Sequence, residues 1–183
     1  MLLGIDRRIA VLEAELMRVR VEFEAALDAV PSDRLHLAPP DQWTPAQIIW
    51  HLAKVERGVA RLFERLNAAI PFNATVPPGP RTDSVLTLLD RDNYRDRSRK
   101  VAAPEGVRPP APAEIDLAAE RARWNDGRAQ FLGAMRNAGP RLSLLRHPHP
   151  VFGPYDGWQW SLMIARHEER HLLQLHEVVS STA

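Results

Sequence analysis

Apolar side chains recur every three or four residues in four long segments of the chain, which is the pattern of amphipathic helices. The first segment runs from about Leu3 to Val30, and Pro31 ends it. Its predicted buried stripe consists of Ile5, Ile9, Leu12, Leu16, Val19, Phe23 and Leu27. No segment shows convincing strand alternation. The pattern therefore predicts an all-α protein.

The second segment has a well-marked start at residues 43–48, Trp-Thr-Pro-Ala-Gln-Ile. Thr44 suits the N-cap, Pro45 suits the first helical position, and Gln47 completes a capping box. Pro71 ends this helix. Its predicted buried stripe consists of Ile48, Leu52, Val55, Val59, Leu62 and Leu66.

A proline-rich stretch follows the second helix. Residues 71–113 hold 8 of the 16 prolines and cannot form one continuous helix, although Ser84–Asp90 suit a short one. We interpret the stretch as a crossover strapped across the helices, because neither flank is large enough to form a comfortable core alone. Residues 1–183 are therefore expected to form a single domain.

Two further helices complete the set. The third runs from about Ala113 to Asn137, and the fourth, after a turn-rich loop at 147–157, runs from about Trp158 to Val179. The apolar face of the third helix holds Leu117, Trp124, Phe131 and Met135. One long crossover with short links elsewhere is typical of an antiparallel four-helix bundle.

Composition and charge exclude several classes of function. Lys and Arg number 24 against 23 Asp and Glu, so the net charge of +1 offers no surplus for a nucleic-acid backbone. No apolar run reaches the ~18 residues of a membrane span, and charges interrupt the N-terminal segment where a signal peptide would be apolar. The lack of cysteine excludes thiolate ligands and disulfides. We expect a soluble, cytoplasmic protein.

The chemistry is expected on the fourth helix, at His167 and His171. Residues four apart differ by about 40° in projection, so both imidazoles leave the same side of the helix. His176 projects from the opposite side. The pair shares the buried stripe with Trp160, Met163, Ile164, Gln174 and Val178. Two histidines in a core need partners for their ring nitrogens, and a metal ion would satisfy both.

His51 supports the metal hypothesis. It lies near the start of the second helix, beside the buried stripe, and helices two and four can face one another in a bundle. Three histidines with open positions left on the ion are typical of a catalytic metal site. The alternative is that the histidines are polar core groups, hydrogen-bonded within the protein and binding no metal.

The fourth helix also matches the metallopeptidase motif H-E-x-x-H, in which Glu168 would be the general base. Three features argue against a metallopeptidase. Only 12 residues follow His171, Glu177 stands where the longer motif has a third histidine, and no sheet is predicted before the helix. Glu168 and Glu169 are therefore expected to be solvated residues on the flank of the helix.

Three stretches together resemble the DinB/YfiT-like metalloprotein superfamily. They are residues 43–56, residues 149–154 (His-Pro-Val-Phe-Gly-Pro) and residues 167–174, which carry the histidine pair. The resemblance implies an up-down-down-up four-helix bundle, commonly a homodimer. It also implies one divalent ion, usually zinc or nickel, on His51, His167 and His171.

The resemblance implies a choice of activities. Relatives include thiol-dependent S-transferases and isomerases that use bacillithiol, mycothiol or glutathione-like cofactors, and others are described as metal-dependent hydrolases. We therefore expect an enzyme whose metal activates a thiol cofactor or water toward a small-molecule substrate. The alternatives are a non-catalytic metal-binding bundle and the H-E-x-x-H metallopeptidase.

Other residues near the histidines have weaker expectations. His149 is expected to pin its loop or to orient a ligand at the site, and Gln174 to hydrogen-bond a metal ligand. Arg170 is expected to pair with a glutamate at the surface or to bind a substrate carboxylate. Three tryptophans are expected in the core or in the site wall: Trp43, Trp50 and Trp160.

Overall fold

Residues 6–181, which the computed structural model describes, are mostly helical. They include four α-helices: α1, Arg7–Asp28; α2, Pro45–Ala69; α3, Leu117–Ala138; and α4, Gly157–Ser181. The predicted all-α class is therefore confirmed. The predicted helix start at Leu3 and the apolar residue Ile5 lie outside the described residues.

Side-chain caps set where the helices begin. The predicted capping box of α2 is confirmed: Thr44 accepts a hydrogen bond from the N–H of Gln47 at 3.2 Å, and the Gln47 side chain accepts one in return at 3.0 Å. Asp116 caps α3 by accepting from a backbone N–H one turn later. This cap explains why α3 begins at Leu117 and not at the predicted Ala113.

Each helix buries an apolar face against its neighbours. α2 packs mainly against α3 and α1 mainly against α4, with further contacts between α2 and α4. The predicted stripes of α1, from Ile9 onward, and of α2 are confirmed, although Val55 and Leu66 are only half-buried. No helix within residues 6–181 combines the length and the apolarity needed to cross a membrane. The largest fully buried side chains include Phe23, Phe63, Trp124, Phe131 and Trp158.

The segment between α2 and α3 contains no α-helix, as its prolines predict. A 3₁₀ helix at Thr82–Thr87 stands close to the short helix predicted at Ser84–Asp90. Val85, Leu89 and Tyr94 are buried, so this part of the crossover closes the core beside α1 and α4. Shorter 3₁₀ turns follow at Asp90–Asp92, Glu105–Val107 and Pro112–Glu114.

A small β-hairpin precedes α4. Strands β1, His147–His149, and β2, Gly153–Tyr155, pair antiparallel with His147 opposite Tyr155. The expectation that the chain has no strand is therefore wrong at this point. Each strand is only three residues long and contains a proline, so neither gives the alternating pattern by which strands are recognised. The Nε1–H of Trp160 donates to the carbonyl of His147 at 3.0 Å and fixes the hairpin on α4.

Candidate metal centre

Three histidines from two helices converge between α2 and α4. The Nε2 atom of His167 lies 3.2 Å from Nε2 of His51 and 3.1 Å from Nε2 of His171. One nitrogen of each ring lies within 4.8 Å of the other two, so the group could hold a metal ion. Nitrogens bound to a tetrahedral ion at ~2.0–2.1 Å lie ~3.3 Å apart, close to the two distances found here. The structure thus brings together the three predicted residues.

Hydrogen bonds at the outer ring nitrogens orient two of these histidines. The Nδ1 of His51 lies 2.7 Å from the carbonyl oxygen of Val107, which only accepts, so this nitrogen carries the proton. The Nδ1 of His171 donates to Oε1 of Gln174 at 2.8 Å, which is the hydrogen bond expected of Gln174. In both rings Nε2 is then an acceptor that faces the centre of the cluster.

The cluster cannot satisfy its own lone pairs. His167 has one proton to place on Nε2, and that proton can serve only one of the two neighbouring acceptors, on His51 and His171. At least one buried lone pair is left facing other nitrogens. A divalent cation resolves the conflict because it takes all three lone pairs at once, so the donor set fits a metal ion.

Burial keeps these rings neutral. His51 is 4% exposed and His171 is 7% exposed. Burial lowers the pKa of His51 to about 4, although the hydrogen bond to Val107 opposes the shift. Burial, followed by repulsion from neighbouring rings, also lowers the pKa of His167 and of His171 well below the ordinary value. Neutral imidazoles are the form that binds metal, so the site is ready for an ion at neutral pH.

Trp43 forms a wall of the cluster. Its ring centroid lies 4.9 Å from that of His51, and it stacks on His171 at 6.0 Å with an angle of 10° between the planes. The expectation for Trp43 and for the buried Trp160 is confirmed. Trp50 is half-buried on the outer side of α2. An aromatic wall excludes water and so strengthens electrostatic interactions at the site.

His149 pins its own loop, which is one of the two roles predicted for it. Its Nδ1 accepts hydrogen bonds from the backbone N–H groups of Val151 at 3.2 Å and Phe152 at 3.3 Å. The proton of the neutral ring therefore sits on Nε2. His149 also adds to the repulsion that lowers the pKa of His167.

A hydrogen-bonded chain leads from His149 away from the cluster. Its Nε2 lies 3.4 Å from the hydroxyl of Tyr94, which lies 3.3 Å from the hydroxyl of Tyr155. Tyr155 donates in turn to a carboxylate oxygen of Asp92. With the proton of His149 on Nε2, each group of this hydrogen-bonded series donates to the next, from His149 to Asp92. Sequence reasoning missed these partners because Asp92 and Tyr94 come from the crossover, whose path has no periodic signal.

Arg170 has a different role from either of those expected. Its guanidinium donates to three backbone carbonyls of the crossover: those of Tyr94 at 3.0 Å, Asp96 at 2.6 Å and Arg99 at 2.8 Å. It neither pairs with a glutamate nor is free for a substrate carboxylate. Arg170 instead ties the crossover to α4 beside the histidines.

Glu168 is buried, and the expectation of a solvated residue is wrong. It is 1% exposed and pairs with Arg20 at 2.7 Å and with Arg128. The same two arginines bind Glu56, at 2.9 Å in the case of Arg20. On the helical wheel Glu168 lies within 40° of the buried residues Ile164 and Leu175, a position that could have signalled a paired charge.

Glu169 is also buried, at 6% exposed, against the expectation. It pairs with Arg18 of α1 at 2.6 Å and with Arg166 of α4 at 3.0 Å. Both glutamates of the H-E-x-x-H match are therefore occupied by arginines. Glu168 is not free to act as a general base at the metal centre, which argues against the metallopeptidase more directly than the sequence did. The absence of a sheet before the helix no longer counts against a metallopeptidase, because a β-hairpin precedes α4.

Comparison with known proteins identifies a family. The sequence model of the DinB superfamily matches residues 15–175, which include all three histidines and the hairpin loop. The match spans most of the chain. No curated protein and no solved structure was found to match it.

Proposed function

This chain belongs to the DinB superfamily, and on that premise we propose that it is a metal-dependent enzyme. Its one divalent ion is held by His51, His167 and His171. The observation that carries the proposal is the convergence of three neutral Nε2 atoms, two of them on buried rings, with too few protons among them to satisfy every lone pair. Zinc and nickel suit imidazole ligands in this number.

We infer that the helices form one domain with the up-down-down-up order of a four-helix bundle. On α1 and α4, Glu15 pairs with Arg166 and Arg18 pairs with Glu169, so the partners advance together and support a parallel pair. On α2 and α3 the contacts advance from Arg57 with Gly127 to Phe63 with Phe131, again in parallel. The long crossover provides the connection that two parallel neighbours in sequence require.

Three protein ligands leave open positions on a tetrahedral or larger coordination shell, which is the feature that separates catalytic from structural sites. A divalent ion at such a site lowers the pKa of a bound water or thiol and polarises a substrate oxygen. Around it, the carbonyl of Val107 and the amide of Gln174 hold the ligand rings, and Trp43 stacks on His171. The chain contains no cysteine, so a reacting sulfur would come from a separate thiol.

The proposed reaction is the transfer of a low-molecular-weight thiol to a small electrophilic substrate, with hydrolysis of a small ester or amide as its water-dependent counterpart. We propose that the protein acts as a homodimer, as the family resemblance implies. His149 carries its proton on Nε2 and adds to the repulsion that lowers the pKa of His167, and we propose it as a candidate for positioning the substrate.

A non-catalytic metal-binding role is the second candidate. Its support is the deep burial of His51 and His171 on two different helices, because an ion there would tie α2 to α4. A structural ion predicts a filled coordination shell. Loss of one ligand would then lower the melting temperature, and there would be no turnover to lose.

Assays of protein loaded with zinc or nickel test the proposal. Conjugation of glutathione to a chlorodinitrobenzene and hydrolysis of nitrophenyl esters cover the two reactions. We expect turnover in one of them that His171→Ala abolishes while circular dichroism shows the fold retained. The exposed residue His176, changed to alanine, is the matched control and should keep full activity. Equal rates in His171→Ala and wild type would contradict the enzymatic role of the site.

A further inference from the structure

A second concave site lies on the outside of α2. A groove of about 430 Å³ is bounded by α2, by the first half of α3 and by residues 106–107 of the crossover. Four cationic side chains line it, with Glu120 as the one carboxylate. None of the three histidines is among its lining residues, so this groove is a separate cavity, although it adjoins the histidine cluster at Val107. The cations are Lys54, Arg57, Arg61 and Arg123.

Positive charge in this groove exceeds negative charge. Arg123 pairs with Glu120. Within residues 6–181, no carboxylate lies at ion-pair distance from Lys54, Arg57 or Arg61. The chain as a whole carries a net charge of only +1, so the surplus is local. Like charges gathered on a concave surface repel one another, and an anionic ligand relieves that repulsion.

Packing limits the freedom of two of these cations. A Cβ atom at Gly127 of α3 would lie 3.1 Å from Cγ of Arg57, so the glycine makes room for the arginine stem against α3. The Lys54 ammonium lies 5.3 Å from the ring centroid of Trp50. Side chains that are already held lose less conformational entropy when a ligand binds, which favours affinity.

We propose that this groove binds a small molecule that carries several linked phosphate groups. Lys54, Arg57 and Arg61 follow one another at steps of three and four residues and extend over ~10 Å of α2, which is longer than one phosphate. Guanidinium groups match phosphate oxygens with two parallel hydrogen bonds. The cavity volume falls within the range of small-molecule sites. A nucleic-acid backbone is disfavoured because the near-neutral chain offers no general cationic surplus to continue the contact.

Isothermal titration calorimetry with inorganic tripolyphosphate, pyrophosphate and phosphate tests the proposal. The full chain is first treated with a chelator, because polyphosphates also bind metal ions. We expect tripolyphosphate to bind most tightly and phosphate most weakly. Arg57→Gln and Arg61→Gln should each weaken tripolyphosphate binding by about tenfold, the loss of one charge-assisted contact.

Two controls make the result specific. Arg65→Gln removes the same charge from an exposed position on α2 that does not line the groove, and it should change the affinity by less than about twofold. The variant His171→Ala, which leaves the hydrogen bond between His51 and Val107 in place, should bind tripolyphosphate as the wild type does, which separates the groove from the metal centre. Lys54→Gln provides a further exposed substitution if Arg57→Gln fails to fold.

Three outcomes would overturn the proposal. The first is no binding of tripolyphosphate by the wild type at millimolar concentration. The second is equal weakening by Arg65→Gln and Arg61→Gln, which would indicate diffuse attraction and no site. The third is displacement of tripolyphosphate by a DNA or RNA oligonucleotide at a lower phosphate concentration, which would assign the groove to nucleic acid.

Discussion

Two polar clusters lie side by side, and each takes one or more residues from α2 and from α4. They differ in whether all of their hydrogen-bonding groups are paired. Glu56 and Glu168 form a closed ring with Arg20 and Arg128, in which each of the four carboxylate oxygens accepts from an arginine. The histidine cluster is uncharged, and its Nε2 atoms face one another without enough protons to pair them. His167 and Glu168 are adjacent in sequence, yet His167 belongs to the histidine cluster and Glu168 to the arginine–glutamate ring.

The comparison separates a structural role from a ligand-binding role. The arginine–glutamate ring has two positive and two negative charges, so it is neutral and leaves no carboxylate oxygen for an outside group. The histidine cluster has lone pairs left over, which a cation could take. Buried polar groups that are fully paired fix the packing, whereas converging acceptors mark a place where an ion binds.

Breaking the ring should have the largest effect on stability. Glu168→Gln leaves the two buried guanidinium groups with one carboxylate between them, and we expect the free energy of unfolding to fall by ~3–5 kcal/mol. Urea unfolding followed by circular dichroism measures this loss. The matched control is Glu177→Gln, also on α4, where the glutamate pairs with Arg97 at the surface. This variant should change the free energy of unfolding by less than ~1 kcal/mol. A similar small change in both variants would mean that the ring is not a unit.

Acidification should destabilise the metal-free protein through the histidine cluster. The pKa of His51 is about 4 in the folded chain and 6.5 when unperturbed, so between these pH values the unfolded state binds more protons. Stability is fully present above pH 6.5 and falls as the pH falls toward 4, by on the order of 3 kcal/mol from His51. Urea unfolding with chelator at a series of pH values measures the slope. His51→Ala should reduce the slope by the share that His51 contributes, His176→Ala should not change it, and a flat wild-type profile would contradict the burial of neutral rings.

Metal should stabilise the folded chain through the histidines and not through the ring. Zinc at 100 times its dissociation constant should add ~2.7 kcal/mol to the free energy of unfolding of the wild type. His171→Ala should show no such gain. Thermal unfolding with and without zinc compares them, and equal stabilisation of both would place the bound ion elsewhere.

The hydrogen bonds behind the ligands should have a smaller effect. Gln174→Ala removes the acceptor at Nδ1 of His171, and we expect metal affinity to fall ~10–100-fold while the unfolding of the metal-free chain changes little. Competition with a chromogenic chelator measures the affinity. His149, which is not among the three ligands, provides the comparison: His149→Ala should leave metal affinity closer to wild type. An unchanged affinity in Gln174→Ala would show that His171 is oriented by other contacts.

The elements that could be predicted from sequence are those with local signals. The capping box of Thr44 and Gln47 located the start of α2, and the four-residue spacing of His167 and His171 placed both rings on one buried face. Both signals depend on backbone geometry alone. They predict the shared face of His167 and His171 without any knowledge of tertiary contacts.

The parts that could not be predicted depend on partners distant in sequence. Glu168 looks like a solvated helix residue until Arg20, 148 positions away, supplies its counter-charge. Likewise the acceptor for His51 is a carbonyl at Val107, in a proline-rich crossover whose path no periodicity reveals. Burial of a charge is decided by such pairing and not by the local pattern.

Elemental mass spectrometry of protein purified without a histidine tag tests the central claim most directly. We expect about one equivalent of zinc or nickel in the wild type and none in the triple variant His51→Ala/His167→Ala/His171→Ala, with His176→Ala retaining the wild-type content. Sub-stoichiometric metal that does not rise on addition of zinc, nickel or manganese would contradict the claim. Metal retained by the triple variant would contradict it equally.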